Sequence, residues 1–158
     1  MIRLSASKNL DATEAAALTT HRTSDGDDHS RVEHLVQAFC TGLAIETDEN
    51  EVSDALDGDS AESFVATDVI LVVTEVDGSV AADGTVNIGT SSDGSELLSA
   101  QALTGLDTVG DARWIPLSEA TFVIAGDATI YANVEAADST ATSLTLDVYL
   151  IGRTVPSS

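Results

Sequence analysis

The sequence predicts an all-β fold: an antiparallel β-sandwich, jelly-roll-like, carrying an N-terminal arm. Three observations lead there. Short β-rich runs recur between turn signals from Phe64 onward, two of them alternate apolar and polar residues with the period of a strand, and no segment is long enough to supply the helices of βαβ crossovers. An immunoglobulin-like sandwich meets the same description, but about eight strand candidates favour the jelly roll.

The elements follow in order. Residues 1–34 read as an arm: Ala12 to Leu18 suits a short helix, and the following THRTSDGDDHSRVEHL is too rich in Gly, Ser and Asp for a long regular element. Residues 35–63 form a second stretch, a strand plus an acidic loop. Its apolar LVQAFCTGLAI suits a strand with Gly42 at a bulge, although a helix is also compatible. ETDENEVSDALDGDSAES then places eight acids between Glu46 and Glu62, the composition of a solvated loop or linker.

Residues 64–158 form the sandwich domain. FVATDVILVVTEV is apolar on both alternating faces and suits a central strand covered on both sides. TVNIGTS follows across the turn region VDGSVAADG. SDGSELLSAQAL reads as a helix-like insertion, with Asp93 or Ser95 as its N-cap. ARWIPLS and ATFVIAG come next. In ATIYANVEA the residues Ala128, Ile130, Ala132, Val134 and Ala136 alternate with Thr129, Tyr131, Asn133 and Glu135, and the last strand repeats this with Leu144, Leu146, Val148 and Leu150 inward. Asp-Gly pairs beginning at Asp25, Asp57, Asp77, Asp83 and Asp93 mark turns.

Charge narrows the function classes. Against 27 Asp and Glu stand 6 Lys and Arg, a formal net charge of −21. Such a charge opposes compaction at low salt and is screened at molar ionic strength, where the Debye length is roughly 3 Å, so the chain reads as a halophile's protein. The scattered cations supply no basic face for DNA or RNA. The acids are spread too widely for a patterned polyanion mimic. No apolar run approaches the roughly 20 residues of a membrane helix and the N-terminal residues have no apolar core of a signal peptide, so the expectation is a soluble protein without a membrane partner. A single cysteine, Cys40, excludes an intrachain disulfide and reads as a small buried hydrophobe.

Motifs for chemistry are scarce. His21, His29 and His34 are too widely spaced across a glycine-containing segment for a transition-metal site, and Asp25, Asp27 and Asp28 are weak candidates for a hard cation without the EF-hand pattern. No nucleophile elbow or phosphate-cradling glycine motif occurs, and Cys40 lies in an apolar run. Paired carboxylates carry no information in a chain with so many. The expectation is a non-enzyme without a cofactor, structural cations aside. Among the few aromatics Trp114 suits a core or sandwich-edge position, or an interface anchor. Tyr149, Ile151 and Arg153 share the face of the last strand opposite Leu144 to Leu150, where a solvated face would not favour Tyr and Ile; a subunit interface or a covering N-terminal arm accounts for them.

The pattern DVILVVTEVDG, GTVNIGTSSDGSELLSAQAL, W-x-P-L at Trp114 and FVI-x-GDATIYANVEAADSTATSLTLDVYLIGR resembles the small β-sandwich structural proteins of tailed viruses, found on heads and tails. THRTSDGDDHSRV, with His21 and His29, is similar to the H-x-x-S-x-G-x-x-H-S-x-V arms of virion proteins. The resemblance covers Val69 to Arg153 and His21 to Val32. It implies a fold with a short helix after the IGT turn, a location in the virion, and contacts through the arm and the Tyr149 face. The implied partners are copies of the chain itself and capsid or tail proteins. With the acidity it points to a virus of haloarchaea and a decoration or turret component on the capsid surface. A tail or fibre protein contacting the host, and a carbohydrate-binding module or hydrolase on a sandwich, are the alternatives.

Overall fold

A computed structural model describes residues 35–117 and 122–156. Among them are nine strands and no helix: β1 (Leu35–Ala44), β2 (Glu51–Ala55), β3 (Glu62–Asp77), β4 (Thr85–Gly89), β5 (Leu98–Ala102), β6 (Ala112–Pro116), β7 (Phe122–Ala125), β8 (Thr129–Ala136) and β9 (Ser143–Pro156). Two antiparallel sheets result. The first runs β1-β9-β3-β6, with β7 also on β3, and the second runs β2-β8-β4-β5. On β3, Asp68 to Val72 pair with β6 and Ser63 to Ala66 with β7, so these two strands fill one edge position end to end.

Counted this way, the pairings nest. β1 takes β9, β2 takes β8, β3 takes β6 and β7, and β4 takes β5. That is one long antiparallel ribbon rolled so that its successive pairs alternate between two sheets, which is the jelly roll. The residues explain the roll. Leu144, Leu146, Val148 and Leu150 on β9 and Val69, Leu71 and Val73 on β3 are buried against Val86, Ile88, Ile130, Ala132 and Val134 of the second sheet. Each such side chain contributes about 1.5–3 kcal/mol on leaving water.

Irregularities fall where the residues require them. β1 shifts register on both sides of Cys40, and Gly42 takes the left-handed φ of 73° that its bulge needs. Gly152 sits so close to Val65 and the ring of Phe64 that a Cβ has no room there. The four described Asp-Gly pairs all lie at strand ends or in turns, Asp93 with a φ of 56°.

Three expectations need correction. Residues 92–103 form a turn and β5 instead of a helix, because Glu96 folds back to accept from Thr90 N and Ser91 Oγ and so closes the turn that a helix would have to leave. This also removes the short helix implied after the IGT turn. The acidic stretch after Ile45 contains β2, an edge strand whose acids face solvent while Leu56 enters the core. On β8, Ala136 is exposed and Asn133 is buried, the reverse of the simple alternation.

Candidate assembly surface

The sandwich has two outer faces of opposite character. β3 is apolar on both sides, so while Val69, Leu71 and Val73 join the core, Ile70 and Val72 point away from it. Register then assembles the rest of the outer patch. Ile70 lies opposite Tyr149 on β9 and Trp114 on β6, Val72 lies opposite Ala112, and Ile151 follows Tyr149 by one alternation. Ile70, Val72, Ala112 and Ile151 form a cluster separate from the core, with Trp114 and Tyr149 packed against it.

The aliphatic centre of this patch is buried, while Trp114 and Tyr149 are half-buried. Ile70 is 0% exposed, Val72 2% and Ile151 4%. The Trp114 indole Nε1 is also buried and has no hydrogen-bond acceptor among the described residues, a state that costs about 1–3 kcal/mol. Burial raises the Tyr149 phenol above its ordinary pKa, and the charge of Asp147 adds to the effect. Arg153, two residues beyond Ile151, is half-buried and registered opposite Val65. Of the residues singled out by sequence, the structure thus brings Trp114, Tyr149 and Ile151 together. His21, His29, Asp25, Asp27 and Asp28 lie outside the described residues.

The outer face of the second sheet is polar and bound to its own loops. Asn87 on β4 faces Asn133 on β8 and donates from Nδ2 to Asn133 Oδ1 at 3.3 Å and to Glu135 Oε2 at 2.6 Å. Asn87 Oδ1 accepts from Ala100 N at 2.6 Å, and Asn133 Nδ2 donates to Gly94 O at 3.2 Å. Nearby, Glu51 accepts from Ser92 Oγ and from Asp93 N. Glu49, Asp93, Asn133, Val134 and Glu135 line a shallow hollow there. Sequence reading missed this network, because Asn87 and Asn133 lie in strand candidates 46 residues apart that only the sheet pairing makes neighbours.

Little else offers chemistry. Cys40 is buried in β1 with its thiol toward Val52 O and Ile130 O, and burial pushes its pKa up to about 12, the opposite of an activated nucleophile. Among the described residues no group of three or more His, Cys, Asp or Glu is arranged to hold a metal ion. No described helix is long and apolar enough to cross a membrane. Arg113 donates to the carbonyls of Ala102 and Thr104 and ties β6 to the loop after β5.

No protein-family model matches this chain, and no curated protein matches it. Among solved structures it is similar to a chain of the Cyanophage Pam1 capsid asymmetric unit, with a TM-score of 0.50 and 14% identity. The match covers 84% of this chain and 99% of that one, so the two share a fold over nearly the whole of a comparably small protein.

Proposed function

We propose that this chain is a structural protein of a virion, carried by a tailed virus of halophilic archaea as a decoration or turret component of the capsid surface and assembling with copies of itself. The observation that carries the reading is the jelly roll itself: its fold likeness takes in almost all of a small chain from a viral capsid. Two features support it. The half-buried aromatics Trp114 and Tyr149 offer a contact edge on a chain otherwise devoted to acidic solvation, and the only described thiol is buried with a raised pKa. A role through many repeated, modest contacts needs no catalytic centre. The net charge of −21 supports the halophilic part of the reading, since such repulsion is screened at molar salt.

Its partners are further copies and capsid or tail proteins, and its location is the virion. The test is binding of the purified chain, in molar KCl, to capsids of a haloarchaeal tailed virus. Saturable co-sedimentation at a fixed number of copies per capsid is expected. A chain that stays strictly monomeric and remains in the supernatant overturns the reading.

A further inference from the structure

Asp-Gly pairs are chemically weak points of a main chain. With no side chain to hinder it, the glycine nitrogen can attack Cγ of the preceding aspartate, provided that this nitrogen and the carboxyl are both unengaged and the backbone can turn to bring them together. Four such pairs lie among the described residues, and the fold treats them differently.

Three are held. At Asp83, Ser139 N and Oγ donate to the carboxylate, the Asp83 amide donates to Asp138, and buried Gly84 is packed against Ile45 and the Ala136 carbonyl. At Asp93, the Gly94 nitrogen already donates to Ser91 O at 2.9 Å, Gly94 O accepts from Asn133, and Glu51 accepts from the Asp93 amide. At Asp57, Gly58 lies against the backbone of Gly126, and the chain on either side is fixed by Leu56 N to Ala128 O and Glu62 N to Asp59 O, both at 2.9 Å. Asp77–Gly78 is the exception. Both residues are exposed, Gly78 takes a φ of 82° where β3 ends, and neither the Asp77 carboxylate nor the Gly78 nitrogen makes a hydrogen bond among the described residues. The next hydrogen bond along the connection to β4 is that of Ala81 N to Asp138 Oδ1 at 3.3 Å.

We propose that Asp77 is the site, among these four, where the folded chain converts aspartate to isoaspartate. Gly78 N bonds to Asp77 Cγ, and the carboxyl, protonated from solvent, loses its hydroxyl with the amide hydrogen as one water. A second water reopens the cyclic imide. Addition at Cγ restores aspartate, whereas addition at the Asp77 main-chain carbonyl breaks its bond to Gly78 N and leaves the chain running through Cβ and Cγ, with a free α-carboxylate. Mass and charge are unchanged, and the turn gains one methylene. Only the last rungs, Val76 with Leu144 and Asp77 with Ser143, adjoin the change, while the pairing of β3 with β9 runs on to Glu62 and Pro156, so the altered chain stays folded. The inference does not depend on a virion role.

The test is peptide mapping of the full chain held for weeks in warm, neutral, molar KCl, with electron-transfer fragmentation to tell isoaspartate from aspartate at equal mass, beside the same chain unfolded in guanidinium chloride. In the folded chain isoaspartate is expected to accumulate at Asp77 several-fold faster than at Asp57, Asp83 or Asp93, and in the unfolded chain at similar rates at all four. Equal rates in the folded chain, no product at Asp77, or a lead for Asp77 that persists on unfolding each overturn the proposal, the last because the preference then belongs to local sequence and not to the fold. The Asp77→Ser chain, altered at an exposed turn position, should keep its fold and lose this signal without another taking its place; a new dominant site at Asp57, Asp83 or Asp93 counts against their protection.

Discussion

Asp83 and Asp138 hold two loops together reciprocally: the Asp83 amide donates to Asp138 Oδ2 at 3.2 Å, while the Asp83 carboxylate accepts from Ser139 N at 2.9 Å and Ser139 Oγ at 2.6 Å. Asp138 is buried and also accepts from the amides of Ala81, Thr140 and Ala141. Burial alone would raise its pKa, but these backbone donors outweigh it and hold the carboxyl below its ordinary value.

That balance predicts a pH dependence. A carboxylate with a depressed folded-state pKa contributes stability that is present above the unfolded pKa of about 3.9 and is lost as pH falls through the folded value. Because acidification also relieves general repulsion in so acidic a chain, the quantity to measure is the difference from Asp138→Asn. At neutral pH the variant should be less stable by about 2 kcal/mol, the scale of a hydrogen bond to a charged group. The gap should close on acidification, and a gap constant down to pH ~2 contradicts the assignment.

Stability should rise with salt. With −21 charges, lowering KCl below about 1 M lengthens the screening distance and should bring on cooperative unfolding, followed by far-ultraviolet circular dichroism. A melting temperature independent of salt would assign the acids another purpose.

The outer patch should behave energetically as core. Ile70→Ala is expected to cost about 2–5 kcal/mol in denaturant midpoints at molar salt, although Ile70 points away from the sandwich interior. Val123→Ala, at an exposed position on β7, should stay within about 0.5 kcal/mol. Equal, small effects at both sites would mean that Ile70 is open to water.

Cys40 should be inert in the folded chain. Its burial and raised pKa predict that thiol reagents label it only at the rate at which the molecule opens, so labelling and loss of circular dichroism should coincide across a denaturant series. Rapid labelling under native conditions would show that β1 frays from the edge.

Much of this architecture was legible where periodicity is strict. The alternation of β9 placed Leu144 to Leu150 inward, and Gly42 marked its bulge. Legibility failed where long-range partners decide. β5 was hidden because Glu96 closes a turn with Thr90 and Ser91 in a stretch whose composition also suits a helix. β2 was hidden because an edge strand tolerates the acids of a loop. Asn133 is buried because Asn87, 46 residues earlier, receives it. On the candidate surface, Tyr149 and Ile151 stood out by alternation, but Ile70 and Val72 did not, since β3 is apolar throughout and only the roll of the sheets assigns its two faces.

The pairing of β1 and β3 with β9 has a consequence for synthesis. β9 follows all the other described strands in sequence and lies between β1 and β3, so the first sheet lacks its middle until β9 has left the ribosome. Until then Phe39, Leu71 and Ile70 are without their partners, and the nascent polypeptide must survive as an open, half-formed layer. The segment from Glu46 to Glu62, emerging between β1 and β3, adds eight acids and hence like-charge repulsion to that unfinished layer.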